Sequence, residues 1–150
     1  MPAGCLACDL AEGRLPLPGG VLHESGRWLV EHCVGPLGIG TMVVKPRRHV
    51  LHVAELDEAE SGELGPLLQR TAAVATRLTG AEQVYVCLWS HAGGVPGHLH
   101  FVVQPVTAET REAWDAYGPR LQLAMLERAE RPDPAAVEAF ALRARPLFAV

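Results

Sequence analysis

What this sequence lacks narrows what it can do. It has no long apolar run, and its apolar stretches are too short and too interrupted to span a bilayer. It has no excess of positive charge: the formal net charge is −4 and the pI about 5.9. The electrostatic footprint of a general nucleic-acid binder is therefore missing, although the local cluster "KPRRH" (45–49) could still meet a small anion. The opening "MPAGCLACDLAEGR" shows no basic flank followed by an apolar segment, so no signal peptide and a cytoplasmic protein are expected, with neither membrane nor nucleic acid as partner. Cysteine is scarce, with 4 residues, too few for a disulfide framework in a reducing compartment. No internal repeat or low-complexity block divides the chain. A hydrophobic fraction of 49% over 150 residues is enough for a core, so one domain over 1–150 is expected, its core at about 5–106 and a helical extension at about 107–150.

Along the chain, C-x-x-C (Cys5, Cys8) leads into a short helical turn, and "RLPLPGG" (14–20) is a connector. "VLHE" (21–24), "RWLVEH" (27–32) and "TMVVKP" (41–46) read as strands, the third stopped by Pro46. From Leu56 to Leu78 the apolar period becomes helical and is closed by Gly80, with Gly62, Gly65 and Pro66 suggesting a kink or separate first turn. "QVYVCLW" (83–89) and "HLHFVVQPV" (98–106) read as two more strands joined by a glycine loop. The tail carries two helical patterns divided by "RPDP" (131–134). The sum is α+β with a mainly antiparallel sheet, one long helix and C-terminal helices.

The C-x-x-C has three readings: a metal half-site, a redox dithiol, or two small core residues. The redox reading wants a strand before the pair, and only four residues precede Cys5. The metal reading needs two further ligands, which His49 and His98, both at strand ends, could supply to zinc; the long gaps leave this open on spacing alone. Cys33 and Cys87 lie among apolar residues and read as small buried hydrophobes.

His98 and His100 stand two apart behind the loop "HAGGVPG" (91–97). In a strand such residues share a face about 6.6 Å apart, with Leu99 and Phe101 turned to the core. A histidine committed to a metal cannot attack anything. With His98 so committed, His100 is left as a rigidly held imidazole able to attack phosphorus. Gly93, Gly94 and Gly97 permit a backbone to approach phosphate oxygens.

"AGGVPGHLHFVV" (92–103), together with "LVEH" (29–32) and "GIGTMVVKPRRHV" (38–50), resembles the histidine triad (HIT) superfamily of nucleotidyl hydrolases and transferases. The resemblance covers about residues 5–105. It implies a zinc-containing, bacterial-type member with an antiparallel sheet, a long helix and a homodimer. It implies structural zinc on Cys5, Cys8, His49 and His98, and His100 as nucleophile toward the α-phosphorus of a nucleoside phosphate ester, anhydride or phosphoramidate, the dinucleoside polyphosphate type included. It assigns Glu31 to the ribose hydroxyls, where the plain alternative is a surface carboxylate, and it sets the loop of Gly93 and Gly94 against the phosphate.

The departures matter. The third histidine of the pattern is Val102, its loop glutamine is Gly94, and the histidine of Pro-Gly-His is Thr41. Ser90 and His91, and less so Gln104, are the polar residues nearby that could stand in. A shifted register with His98 in the middle puts Pro96 first and loses the zinc ligand. Two functions follow: a HIT-type enzyme, or a zinc-stabilised nucleotide-binding module with little activity. A third reading, hydrolysis at an open metal, fits poorly with four protein ligands.

Overall fold

The structure is a computed structural model, described over residues 4–149; Met1 to Ala3 and Val150 lie outside the described residues. The elements in order are α1 (Leu6–Ala11), β1 (Val21–Glu24), β2 (Trp28–His32), β3 (Met42–Pro46), a 3-10 turn (Val53–Glu55), α2 (Glu58–Thr79), β4 (Gln83–Cys87), β5 (His91–Ala92), β6 (Val95–Pro96), β7 (Phe101–Val106), α3 (Ala108–Trp114), α4 (Gly118–Arg128) and α5 (Pro134–Phe148). Five strands form one sheet in the order β1-β2-β3-β7-β4, every pair antiparallel. The expected α+β class is the observed one.

The strands' alternation divides the sheet's faces. Trp28, Val30, Met42, Val44 and Val103 point to one side and pack with Leu67, Val74 and Ala75 of α2 and Phe140, Ala141 and Ala144 of α5. The Trp28 indole N–H is satisfied inside this core by the Glu60 carbonyl at 3.1 Å. On the other side the register sets Glu31, Val43, Val102 and Cys87 in one row across four strands. Val102 there joins Leu37, Val106, Leu121 and Met125 in a second, smaller core. The second face is thus covered at one end by α4 and at the other by α1, whose Ala7 carbonyl accepts from Lys45 Nζ.

Helix α2 runs unbroken through Gly62, Gly65 and Pro66, where a kink was expected. All three are exposed, so the carbonyl that Pro66 leaves without an N–H donor faces water. Strong ends hold the helix: an Asp57–Glu60 capping box and a left-handed Gly80. The tail forms three helices rather than two, because Asp115 and Gly118 adopt positive φ and break the first pattern. The last strands are shorter than expected. β4 stops at Cys87, and residues 91–96 fold into a hairpin of their own, so β7 begins at Phe101. His98 and His100 therefore lie on the extended lead-in to β7.

Candidate functional site

Helix α1 exists to present two thiols. Cys5 is its N-cap, with Sγ accepting from the Cys8 N–H at 3.4 Å, and Cys8 is fully buried one turn on. Across from them, His49 follows β3 and His98 precedes β7. Cys8 Sγ stands 3.3 Å from Nδ1 of both His49 and His98, and Cys5 Sγ 3.7 Å from His98 Nδ1. All four ligand atoms lie within 4.8 Å of one another. Tetrahedral zinc with sulfur at about 2.3 Å and nitrogen at about 2.0 Å has sulfur–nitrogen edges of about 3.5 Å, so the donor set fits zinc in type and in spacing.

The tautomers are fixed by carbonyls, which only accept. His98 Nε2–H donates to the Pro46 carbonyl at 2.9 Å, leaving the Nδ1 lone pair to the cluster. Burial pulls the His98 imidazole down to about 4 and pushes the Cys8 thiol up to about 11, the latter aided by Cys5. Neutral imidazole is what a metal needs, and a divalent cation offsets the cost of the buried thiolate.

His100 is fixed the same way: Nδ1–H donates to the His98 carbonyl at 2.9 Å, so Nε2 carries the lone pair on a partly exposed ring. One step past the Val44–Phe101 pair, the β3–β7 register brings Lys45 beside His100. Lys45, the only lysine of the chain, is 0% exposed and donates to Glu31 Oε1 at 2.8 Å.

Glu31 is no surface carboxylate. It is 3% exposed, with Oε1 on Lys45 and Oε2 covered and unpartnered. Burial holds its carboxyl above the usual range, against the opposing pull of Lys45.

Ser90 and His91 lead into the hairpin, whose turn residues Gly93 and Gly94 have φ of 60° and 83°, the left-handed pair of a type I′ turn. The glycines are required by the turn itself, and nothing lies within 4 Å of where their Cβ atoms would be. Ser90 Oγ is buried without a partner, and its carbonyl accepts from Gly97 N–H at 2.7 Å. Thr41 is buried with its hydroxyl on the Leu37 carbonyl, and Gln104 is buried between Leu37, Met125 and Gln122. Neither stands open to a substrate.

Cys33 and Cys87 are partly exposed, not fully buried as expected. Cys87 meets Gln122 of α4. Cys33 lines a cavity of about 410 Å³ that also borders Pro16, Pro18 and the segment Arg131–Pro134. Sequence reasoning placed Lys45 in a basic cluster open to an anion, whereas it is buried on Glu31, and it missed this cavity. A lone lysine among the apolar residues of β3 was the available signal for the first, and nothing local announces the second.

No family model matches the chain, and no curated protein does. Solved structures do. A hypothetical histidine triad nucleotide-binding protein from Sulfolobus tokodaii superposes with TM-score 0.72 at 18% identity, covering 97% of this chain and 92% of that one. The fold is that of the histidine triad proteins. A Hit-like protein from Bartonella henselae, described as involved in cell-cycle regulation, gives TM-score 0.71 at 15% identity over 98% of both chains. A zinc-bound histidine triad family protein from Mycobacterium smegmatis gives 0.66 at 18%, covering 97% of this chain and 94% of that one. Among the described residues no helix is long and apolar enough to cross a membrane.

Proposed function

We propose that this protein is a nucleotidyl hydrolase or transferase that works through a nucleotidyl-histidine on His100. The observation that carries the reading is the His100 Nδ1–H bond to the His98 carbonyl, which leaves Nε2 as a lone-pair donor on a ring that reaches solvent. Nε2 attacks the α-phosphorus; a P–N bond forms while the bond to the leaving group breaks, and that group departs with the electron pair and gains a proton from solvent. Water then attacks phosphorus, the P–N bond breaks, and the imidazole recovers its lone pair. A second phosphate in place of water gives transfer.

Cys5, Cys8, His49 and His98 would hold zinc, which with four protein ligands supplies a structural clamp. The chain's own residues do the rest: the His98 carbonyl orients His100, and the exposed turn at Gly93 and Gly94, with Ser90 and His91 before it, offers backbone donors to the phosphate oxygens. The reading extends to a cytoplasmic homodimer. Its support is the sheet edge β4, beside which Val86, Trp89 and Val95 are exposed at 45%, 71% and 60%.

One observation favours the second reading, a nucleotide-binding module. Val102 is 9% exposed under α4 and donates nothing to a leaving group. Quenched reactions with a dinucleoside tetraphosphate, adenosine phosphoramidate and a nucleotide sugar, analysed by mass spectrometry, decide. A nucleotide on His100 supports the enzyme; tight binding with neither adduct nor turnover supports the module.

A further inference from the structure

A metal half-site and a redox dithiol are not exclusive readings of Cys5 and Cys8. The two stand one helical turn apart, with Cys5 Sγ accepting from the Cys8 N–H at 3.4 Å, and their sulfurs lie within 4.8 Å of each other. Cα atoms three apart on a helix are about 5 Å apart, inside the range of roughly 4.4–6.8 Å that a disulfide spans. A turn of the side chains therefore suffices to join them, with no movement of one element against another. The other two cysteines lack such a partner in each other. Cys33 follows β2 and Cys87 lies on β4, with β3 and β7 between, so three strand spacings of about 4.8 Å separate them, beyond disulfide reach.

The four ligands also differ in what holds them. Cys5 is partly exposed, so an oxidant reaches it, whereas Cys8 is 0% exposed one turn behind. The imidazoles keep their places without the thiols. The His98 ring donates to the Pro46 carbonyl at 2.9 Å and packs edge-on against His49, with ring centroids 5.1 Å apart. Half of the cluster is thus built into the strand ends, and the other half is a sulfur pair that can be withdrawn as a unit.

We infer that Cys5 and Cys8 form a peroxide-sensitive switch, in which a two-electron oxidation joins them as a disulfide and withdraws both sulfur ligands from the zinc clamp. The Cys5 thiolate attacks hydrogen peroxide: an S–O bond forms, the O–O bond breaks, and hydroxide leaves and takes a proton to become water. The Cys8 thiolate then attacks that sulfur: the S–S bond forms, the S–O bond breaks, and a second hydroxide leaves and takes a proton. Each sulfur gives up one electron, and one peroxide becomes two waters. Two imidazoles are left, short of the four ligands of a closed site. The switch rests on the part of the proposed function that puts zinc on this cluster, and not on the chemistry of His100.

The test uses the full chain, reduced, loaded with zinc chloride, freed of excess metal, and exposed to hydrogen peroxide beside a colorimetric zinc indicator. About one zinc per chain should be released. Release should keep step with a disulfide that peptide mass spectrometry places between Cys5 and Cys8, and dithiothreitol should reverse both. The double variant Cys33→Ser, Cys87→Ser should respond like wild type. Zinc held while Cys33 or Cys87 oxidises, a Cys5 sulfinic acid with no disulfide, or a chain that takes up no zinc overturns the switch. A nucleotide adduct on His100 in a chain that holds its zinc under peroxide sinks the switch and keeps the enzyme. Zinc release with the disulfide, but no adduct from any substrate, supports the switch and sinks the enzyme.

Discussion

Lys45 Nζ lies 2.8 Å from Glu31 Oε1, and the two residues are 0% and 3% exposed. An ion pair this deep gains little net stability over an apolar pair, but breaking it strands a charge. Lys45→Met should therefore cost about 3–5 kcal/mol in urea unfolding, and Lys45→Met with Glu31→Leu should recover most of that loss. Equal stability of the single and double variants would show that the pair is not coupled.

The same ammonium also donates to the Ala7 carbonyl, in the helix that carries Cys8. Metal loading and sheet packing are thus physically joined. Removing metal with a chelator should lower Tm by at least about 10 °C, given roughly 2–4 °C per kcal/mol at this chain length. Because the Cys8 thiol is pushed up to about 11, ligation must displace its proton, and apparent zinc affinity should fall as the pH is lowered. Competition with a colorimetric chelator at several pH values, together with elemental analysis, checks both statements.

His32 gives a pH dependence independent of the metal. It is buried at 1% exposure, with Nδ1–H donating to the Cys33 carbonyl and Nε2 accepting from the Gly40 N–H at 2.8 Å. Burial holds its imidazole below the ordinary value of 6.5, so below that pH the unfolded chain binds a proton that the folded chain refuses. Stability contributed above pH 6.5 is therefore lost as the pH falls toward the folded value, by at most about 1.4 kcal/mol per pH unit. Urea midpoints of wild type and His32→Gln, taken from neutral to mildly acidic pH, should converge on the acid side. Parallel curves would exclude His32 as the cause.

His98 and His100 should separate by phenotype. His98→Ala removes a cluster ligand and the bond to Pro46, so it should lower Tm and zinc content together with any activity. His100→Asn should leave Tm within about 1–2 °C and abolish the nucleotide adduct. Loss of activity without loss of stability in His98→Ala would reverse the two roles.

Much of this was legible in local pattern. The first three strands and the long helix follow from alternation and helical period, whereas the cluster of Cys5, Cys8, His49 and His98 was implied by the family resemblance, with spacing alone leaving it open. Other features depend on neighbours distant in sequence. Glu31 sits in an alternating strand that reads as half-exposed, yet it is buried against Lys45, which itself donates to Ala7 of α1. Gly62, Gly65 and Pro66 look like a break until their common solvent face is known. The cavity at Cys33 is closed by Arg131–Pro134, almost a hundred residues away, and no window of the sequence contains both walls.

The C-terminal helices also impose an order on biosynthesis. Phe140, Ala141, Ala144 and Phe148 of α5 complete the core around Trp28 and Val103, while Leu121 and Met125 of α4 cap the opposite face. Until those segments leave the ribosome exit tunnel, a nascent chain carrying all five strands still shows bare apolar surface on both sides of the sheet. Such a chain is prone to associate with its neighbours on a polysome until the last helix has emerged.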